Sequence, residues 1–194
     1  MILSGIVGSI LFSLPNIIAK IIGAIFIHLW FVLDCSDGEV ARYTKTFSKY
    51  GKELDYMAHL INHPLFGASI FLSLLQLGRY NPSYLFMLVF LSNFLDYGIR
   101  NLTKLNVIEE MKEEKNTASK IEEDKFWHIK RIILFATSIF TLYPNFILFG
   151  VLIYFVDFYM GTNILYIYLI LNVLITGLFV IKDFICKTKY YYAS

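Results

Sequence analysis

Four ionisable side chains stand at helical spacing within a short stretch of this sequence. Asp34 and Asp37 are three residues apart, and Asp55 and His59 are four apart, so each pair shares one face of a helix. The segment between the pairs is short, so two antiparallel neighbouring helices would bring all four side chains to one depth. Clustered carboxylates are unfavourable unless cations neutralise them, and their oxygens suit Mg²⁺ and Mn²⁺. The spacing therefore predicts a divalent-metal site.

Small and basic residues accompany these carboxylates. Gly38, Ala41 and Gly51 leave room for a flat ligand group or for close helix approach. Arg42 adds a positive donor that suits a phosphate group. Together with the acidic residues, they indicate a site for a phosphorylated ligand.

The combined pattern resembles the signature of the CDP-alcohol phosphotransferase (CDP-alcohol phosphatidyltransferase) family, D-x2-DG-x2-AR-x8-G-x3-D-x3-D. Seven of the eight specified residues match at the right spacing over residues 34–59. The resemblance implies an integral-membrane transferase with a two-metal site, holding Mg²⁺ or Mn²⁺, that opens to the cytoplasm and the membrane. In such an enzyme an acceptor hydroxyl attacks the β-phosphorus of a CDP-alcohol and CMP leaves, in phospholipid or related glycolipid synthesis. At least one substrate is then a lipid, and a homodimer is common.

The resemblance also assigns roles to individual residues. It makes Asp34, Asp37 and Asp55 metal ligands. It assigns the cytidine pocket to Gly38, Ala41 and Gly51, and the diphosphate contact to Arg42.

His59 is the one departure from the pattern, because it stands where the family has its fourth aspartate. That aspartate is thought to help bind the second metal and to deprotonate the acceptor hydroxyl. Neutral imidazole can coordinate a metal or act as a general base near neutral pH, and a nitrogen ligand favours Mn²⁺ over Mg²⁺. We therefore predict His59 and Asp55 as catalytic residues, with a weakened or inactive site as the alternative.

Other polar residues give weaker signals. His63, one turn beyond His59, either lines the acceptor pocket or packs as a hydrogen-bonded histidine. Asp96 and Arg100 are four residues apart, and an intrahelical ion pair is favoured over acceptor binding. By analogy with the family, Arg131 is a candidate contact for a phosphorylated acceptor.

Long apolar segments must position these residues. The chain has 194 residues, of which 57% are hydrophobic and 16% charged, against about 25% charged in a soluble domain. Six apolar segments are evident, at about 1–14, 15–33, 51–77, 83–101, 131–156 and 162–181. We expect a single all-α membrane domain over residues 1–194 with about six transmembrane helices. The first segment covers only about 21 Å, so we expect either a partial span or an N-terminal extension.

The distribution of lysine and arginine predicts the orientation. Basic residues concentrate on the side of the motif, which places that side, the charged linker at about 105–128 and both termini in the cytoplasm. Only Lys20 and Arg79 fall on the opposite side. The linker has mixed charges, typical of a solvated surface helix or loop. The plasma membrane is the expected location, with the site facing the cytoplasm.

Several other functions are disfavoured. The net charge of +2 and the absence of a basic stripe argue against nucleic-acid binding, and Cys35 and Cys186 form no metal-ligand or disulfide pattern. A transporter or ion-binding protein that uses the acidic cluster is the main rival interpretation. Transporters often contain inverted repeats and broken helices at mid-membrane, neither of which is evident here. A membrane scaffold with a degenerate motif is the third interpretation.

Overall fold

The computed structural model describes residues 1–46, 48–104 and 145–193. Every regular element in these ranges is an α-helix, which confirms the all-α class. The helices are α1 (Ile2–Ser13), α2 (Ile17–Thr44), α3 (Gly51–Leu75), α4 (Pro82–Lys104), α5 (Asn145–Met160) and α6 (Ile164–Ala193). The charged linker, Arg131 and the first part of the predicted fifth segment lie outside the described residues.

Helix α2 carries half of the motif and has clear start and stop signals. The side chain of Asn16 accepts hydrogen bonds from the backbone N–H groups of Ile18 and Ala19, at 2.8 and 3.4 Å, which is the usual role of an asparagine N-cap. The helix ends where Lys45 adopts a left-handed conformation with φ of 53°. Its 28 residues span about 42 Å. The helix is therefore longer than a hydrocarbon core of about 30 Å, so its polar last turns extend beyond that core.

Three of the described helices are long and apolar enough to cross a membrane, namely Ile17–Thr44, Glu53–Leu75 and Ile164–Ile185. Helices α1 and α5 are shorter apolar helices. Large apolar side chains cover the outward faces, with Leu3 and Leu178 both highly exposed. Apolar outward faces on long helices suit lipid surroundings, as expected of an integral membrane protein.

Glycines allow the close helix contacts that hold the bundle together. A Cβ atom at Gly23 of α2 would lie 2.4 Å from the backbone nitrogen of Phe12 in α1. A Cβ atom at Gly67 of α3 would lie 2.1 Å from the Asn93 amide nitrogen in α4. Small residues at such crossings let the backbones of membrane helices approach closely. Gly23 thus lets the backbones of α1 and α2 pack together, and Gly67 leaves room for the Asn93 side chain between α3 and α4.

Gly23→Ala is expected to lower the melting temperature of the purified protein. Overpacking a tight contact costs about 1–3 kcal/mol, and here the obstacle is backbone. Gly177→Ala is the matched control, because a Cβ atom there would meet only Leu95 Cδ1 at an ordinary 3.7 Å. Both substitutions gain the same helix propensity, so equal melting temperatures would contradict the packing argument.

Polar side chains tie the helices together at the end of the bundle away from the motif. Lys20 is buried, and its Nζ donates to the backbone oxygen of Phe12 at 2.9 Å and to the hydroxyl of Ser73 at 2.8 Å. Arg79 donates to the backbone oxygen of Asp157 at 3.3 Å. The two basic residues of this end thus satisfy carbonyl groups of α1 and α5. These contacts fix the helices at the end of the bundle opposite the motif.

Candidate active site

The site lies where α2 and α3 face each other near the polar end of the bundle. Helix α1 packs against both of them, and their own side chains bridge the remaining space. Trp30 of α2 packs edge-on against His59 of α3, with ring centroids 5.5 Å apart. One turn further along α2, Asp34 reaches the same imidazole. The two halves of the motif therefore meet through side chains.

Asp34, Asp55 and His59 form a compact cluster. The Nε2 atom of His59 lies 3.5 Å from Asp34 Oδ1 and 3.5 Å from Asp55 Oδ1. One possible ligand atom from each residue lies within 4.8 Å of those of the other two. The side chain of Asp55 is 59% exposed, whereas those of Asp34 and His59 are mostly buried. The structure thus brings together three of the four metal ligands that the sequence predicts, with one carboxylate open to solvent.

A chain of hydrogen bonds continues from this cluster into the bundle. His59 Nδ1 lies 3.0 Å from His63 Nε2, and His63 Nδ1 lies 2.8 Å from Asp96 Oδ2 on α4. His63 is 1% exposed and Asp96 is 7% exposed. Both ring nitrogens of His63 therefore have partners within the bundle. A contact between this ring and the acceptor substrate stays a prediction.

The sequence did not reveal that Asp96 pairs with His63. The available signal was an acidic residue within an otherwise apolar helix, which is a functional candidate in a membrane protein. An ion pair between Asp96 and Arg100 stays a prediction, because the Arg100 side chain lies outside the described residues.

Trp30 closes the inner side of the site. Its ring is fully buried and lies edge-on to His63 at 5.8 Å and to Phe66 at 4.9 Å, in addition to its contact with His59. The indole therefore packs between His59 and the apolar core, which His63 also contacts through Phe66. Edge-to-face packing of this kind stabilises a fixed ring orientation.

A comparison with known protein families decides the identity of this arrangement. The family model described as CDP-alcohol phosphatidyltransferase matches residues 2–178. The chain belongs to this family. Membership makes it a transferase of phosphate-containing groups in lipid synthesis. No curated protein and no solved structure matches the chain significantly.

The remaining charged residues of the CDP-alcohol phosphatidyltransferase motif lie further out along α2. Asp37 is exposed and stands apart from the three-residue cluster, so its role as a ligand stays a prediction. Arg42 and Glu39 are exposed and form an ion pair of 2.8 Å. Exposed pairs of this kind contribute only about 0–1 kcal/mol. The guanidinium group can therefore exchange Glu39 for a phosphate at little cost.

The small residues of the family motif lie near the facing ends of α2 and α3. A Cβ atom at Gly38 would lie 3.4 Å from the nearest guanidinium nitrogens of Arg42, so the glycine leaves room for that side chain to fold against α2. Ala41 follows on the same helix, and Gly51 is the first residue of α3. Their contact with a cytidine stays a prediction.

The cluster fits the divalent metal on which enzymes of this family typically depend. Ligand atoms that share a cation at about 2.1 Å lie about 3–4 Å apart, and the two separations of 3.5 Å at His59 Nε2 fall in this range. Two carboxylate oxygens and one imidazole nitrogen are a donor set that suits Mn²⁺ or Mg²⁺, and the nitrogen favours Mn²⁺. Asp34, Asp55 and His59, whose possible ligand atoms all lie within 4.8 Å of one another, therefore fit a shared divalent cation.

Helix α4 also holds α3 next to the histidines. Pro64 lies inside α3 and has no N–H group, so the carbonyl of Leu60 lacks its usual partner within the helix. The hydroxyl of Tyr97 donates to this carbonyl oxygen at 2.8 Å. Tyr97 follows Asp96 directly, so two consecutive residues of α4 contact α3 within one turn of the cluster.

The depth of the cluster agrees with access from water. Asp34 is 17 residues beyond Ile17, the first residue of α2, which corresponds to about 26 Å along the helix. A hydrocarbon core is about 30 Å thick. The cluster thus lies close to the polar end of a helix that is long enough to cross such a core.

Proposed function

We propose that the chain transfers a phospho-alcohol group from a CDP-alcohol to an acceptor hydroxyl, with release of CMP, in phospholipid or related glycolipid synthesis. The observation that carries the proposal is the convergence of Asp34, Asp55 and His59 at the polar end of α2 and α3 in a member of this family. The acceptor oxygen forms a bond to the β-phosphorus as the bond from this phosphorus to the CMP oxygen breaks. The hydroxyl proton passes to a general base, for which His59 and Asp55 are the candidates.

Four residues would hold the cations of the two-metal site, Asp34, Asp37, Asp55 and His59. Bound Mg²⁺ or Mn²⁺ supplies electrostatic stabilisation of the diphosphate and of the leaving CMP. Asp55 is the most exposed residue of the cluster, so it stands closest to incoming substrate. Together with His59 it is the proposed catalytic residue, because both face the space in which the phosphate groups must lie.

The residues of the motif that lie outside the cluster would bind the nucleotide. Arg42 is exposed and weakly paired, and its guanidinium group can donate two parallel hydrogen bonds to the diphosphate. Gly38, Ala41 and Gly51 would leave space for the cytidine. An exposed arginine next to a metal site would thus orient the donor phosphates before attack.

The proposal includes the placement of the site in the cell. Six transmembrane helices, cytoplasmic termini and a plasma-membrane location would turn the motif toward the cytoplasm, where CDP-alcohols are made. The concentration of basic residues on the motif side supports this orientation. Lipid-facing helices beside the cluster support a lipid as one of the two substrates. A homodimer is part of the proposal by analogy with the family.

A CMP-release assay on the purified protein tests the proposal. One set of reactions combines CDP-diacylglycerol with small polar alcohols, and the other combines small CDP-alcohols with lipid or glycan acceptors. We expect CMP release with at least one pair, dependent on Mg²⁺ or Mn²⁺ and abolished by a chelator. Folded protein that binds Mn²⁺ but releases no CMP with any pair would contradict the proposed reaction.

A further inference from the structure

The hydrogen-bond chain behind the cluster has a direction. It begins at Asp96 on α4, passes through both nitrogens of His63, and ends at Nδ1 of His59. The opposite nitrogen of His59 faces Asp34 and Asp55. His59 is thus connected to a third carboxylate, that of Asp96, which lies in the interior of the bundle.

We propose that Asp96 and His63 are positioning residues that fix the tautomer of His59, so that its Nε2 lone pair points at the cation position. The inference rests on the proposed function, because it concerns the metal site of that reaction. In this proposal His59 is a metal ligand, and the hydrogen bonds from Asp96 of α4 through His63 set the orientation of its ring. Neither Asp96 nor His63 belongs to the sequence motif.

The protons of the chain can be assigned one by one. A carboxylate only accepts hydrogen bonds, so His63 donates from Nδ1 to Asp96. The Nε2 atom of a neutral His63 then carries a lone pair and accepts from the Nδ1–H of His59. This leaves the proton of neutral His59 on Nδ1 and the lone pair on Nε2. The ring nitrogen that faces the two carboxylates is therefore the one that can coordinate a cation.

The reverse direction would block the site. For His63 to donate toward His59, either His63 would need a second proton or Asp96 would need to carry one. His59 would then carry its proton on Nε2, directed at Asp34 and Asp55, which would keep a cation out. An ionised Asp96 with two neutral rings satisfies every nitrogen of the hydrogen-bond chain without an additional proton. The forward direction is therefore the one compatible with a loaded site.

Burial protects this chain of hydrogen bonds from water. His63 is 1% exposed, and the ring of Trp30 packs against both histidines. Water therefore has little access to the hydrogen bond between the two imidazole rings. A carboxylate that hydrogen-bonds to the other ring nitrogen of a metal-bound histidine commonly orients the ring and raises its basicity. Here His63 lies between this carboxylate, that of Asp96, and His59.

The test measures metal binding in addition to turnover. Mn²⁺ is titrated into the purified full-length protein while the free ion is followed by electron paramagnetic resonance, and pulsed spectra report coupling to a bound ¹⁴N nucleus. We expect the unaltered protein to show this coupling. Asp96→Asn keeps the shape of the side chain, but its amide can donate as well as accept, so both directions of the chain become available. Its Kd for Mn²⁺ is expected to rise about 10–100-fold, as for other partners of metal-bound histidines, with weaker ¹⁴N coupling.

Ser92→Ala is the matched control. Ser92 lies one turn before Asp96 on α4, is buried, and donates a hydrogen bond of 2.7 Å to Asn172. Its loss removes a buried polar contact of the same helix without touching the histidines. We expect its Mn²⁺ affinity to stay within about twofold of the unaltered value. Asp96→Glu restores a carboxylate and is expected to recover part of the affinity that Asp96→Asn loses.

The outcomes separate this inference from the proposed function. Unchanged Mn²⁺ affinity and ¹⁴N coupling in Asp96→Asn would overturn the positioning role, while CMP release by the unaltered protein would leave the proposed function standing. Absence of ¹⁴N coupling in an active unaltered protein would also overturn it. If Asp96→Asn fails to fold, His63→Leu removes the acceptor of the His59 Nδ1–H instead, and the same changes are expected.

Discussion

Asp34→Asn is expected to lower the rate of CMP release about 1,000-fold while the protein remains folded. The carboxylate of Asp34 is largely buried at the cluster, 3.5 Å from His59 Nε2. Its neutral isostere would lose most of the attraction for a divalent cation. Stabilisation by a catalytic metal amounts to several kcal/mol, and about 4 kcal/mol corresponds to about 1,000-fold in rate. The measurement is kcat/KM for CMP release at saturating Mn²⁺.

Glu53→Gln is the control for the loss of a nearby negative charge. Glu53 lies in the first turn of α3 and is exposed, two residues before Asp55. We expect its kcat/KM to stay within a few fold of the unaltered value, because it takes no part in the cluster. Equal rates for Asp34→Asn and Glu53→Gln would rule out Asp34 as a ligand needed for turnover.

Two substitutions of His59 are expected to have opposite consequences. His59→Ala removes the nitrogen that faces both carboxylates and should reduce turnover about 100-fold or more, the range seen when a single stabilising group is removed. CDP-alcohol binding should persist, because Arg42 and the small residues of the motif are unchanged. His59→Asp supplies the residue of the family pattern and should remain active.

The metal preference of His59→Asp provides a sharper measurement. Replacement of a nitrogen ligand by an oxygen ligand should raise the rate of CMP release with Mg²⁺ relative to the rate with Mn²⁺. Rates of CMP release are compared in the two metals for the unaltered protein and for the variant. Full activity in His59→Ala would exclude both a ligand role and a general-base role for this residue.

Spacing alone predicted the part of the site that depends on one or two adjacent helices. Asp55 and His59 share a face of α3 because they are four residues apart, and the short connection from α2 brings Asp34 to them. The apolar segments likewise predicted the starts of α1, α2, α3, α4 and α6 to within a few residues, whereas the predicted start of the fifth segment lies outside the described residues. The ends were less predictable. Helix α2 continues to Thr44 and α6 to Ala193, because polar residues outside the membrane can still form helix.

Contacts between distant helices could not be predicted in the same way. Spacing gave Asp96 a local partner in Arg100, a pair that stays a prediction, but it could not indicate the contact with His63, which is 33 residues away on another helix. The sequence placed Lys20 only on the side opposite the motif, whereas its Nζ donates to the backbone oxygen of Phe12 and to the hydroxyl of Ser73, 53 residues away. In both cases the deciding factor is a tertiary approach, which local sequence does not encode.

The packing of Trp30 against the cluster offers an optical readout of the site. The chain contains two tryptophans, so in a Trp127→Phe protein all indole emission would come from Trp30. That ring lies 5.5 Å from His59, and indole fluorescence responds to the charge and motion of its neighbours. Loading of the site could therefore be followed in real time without an added dye, and the same signal would reveal whether donor or acceptor arrives first.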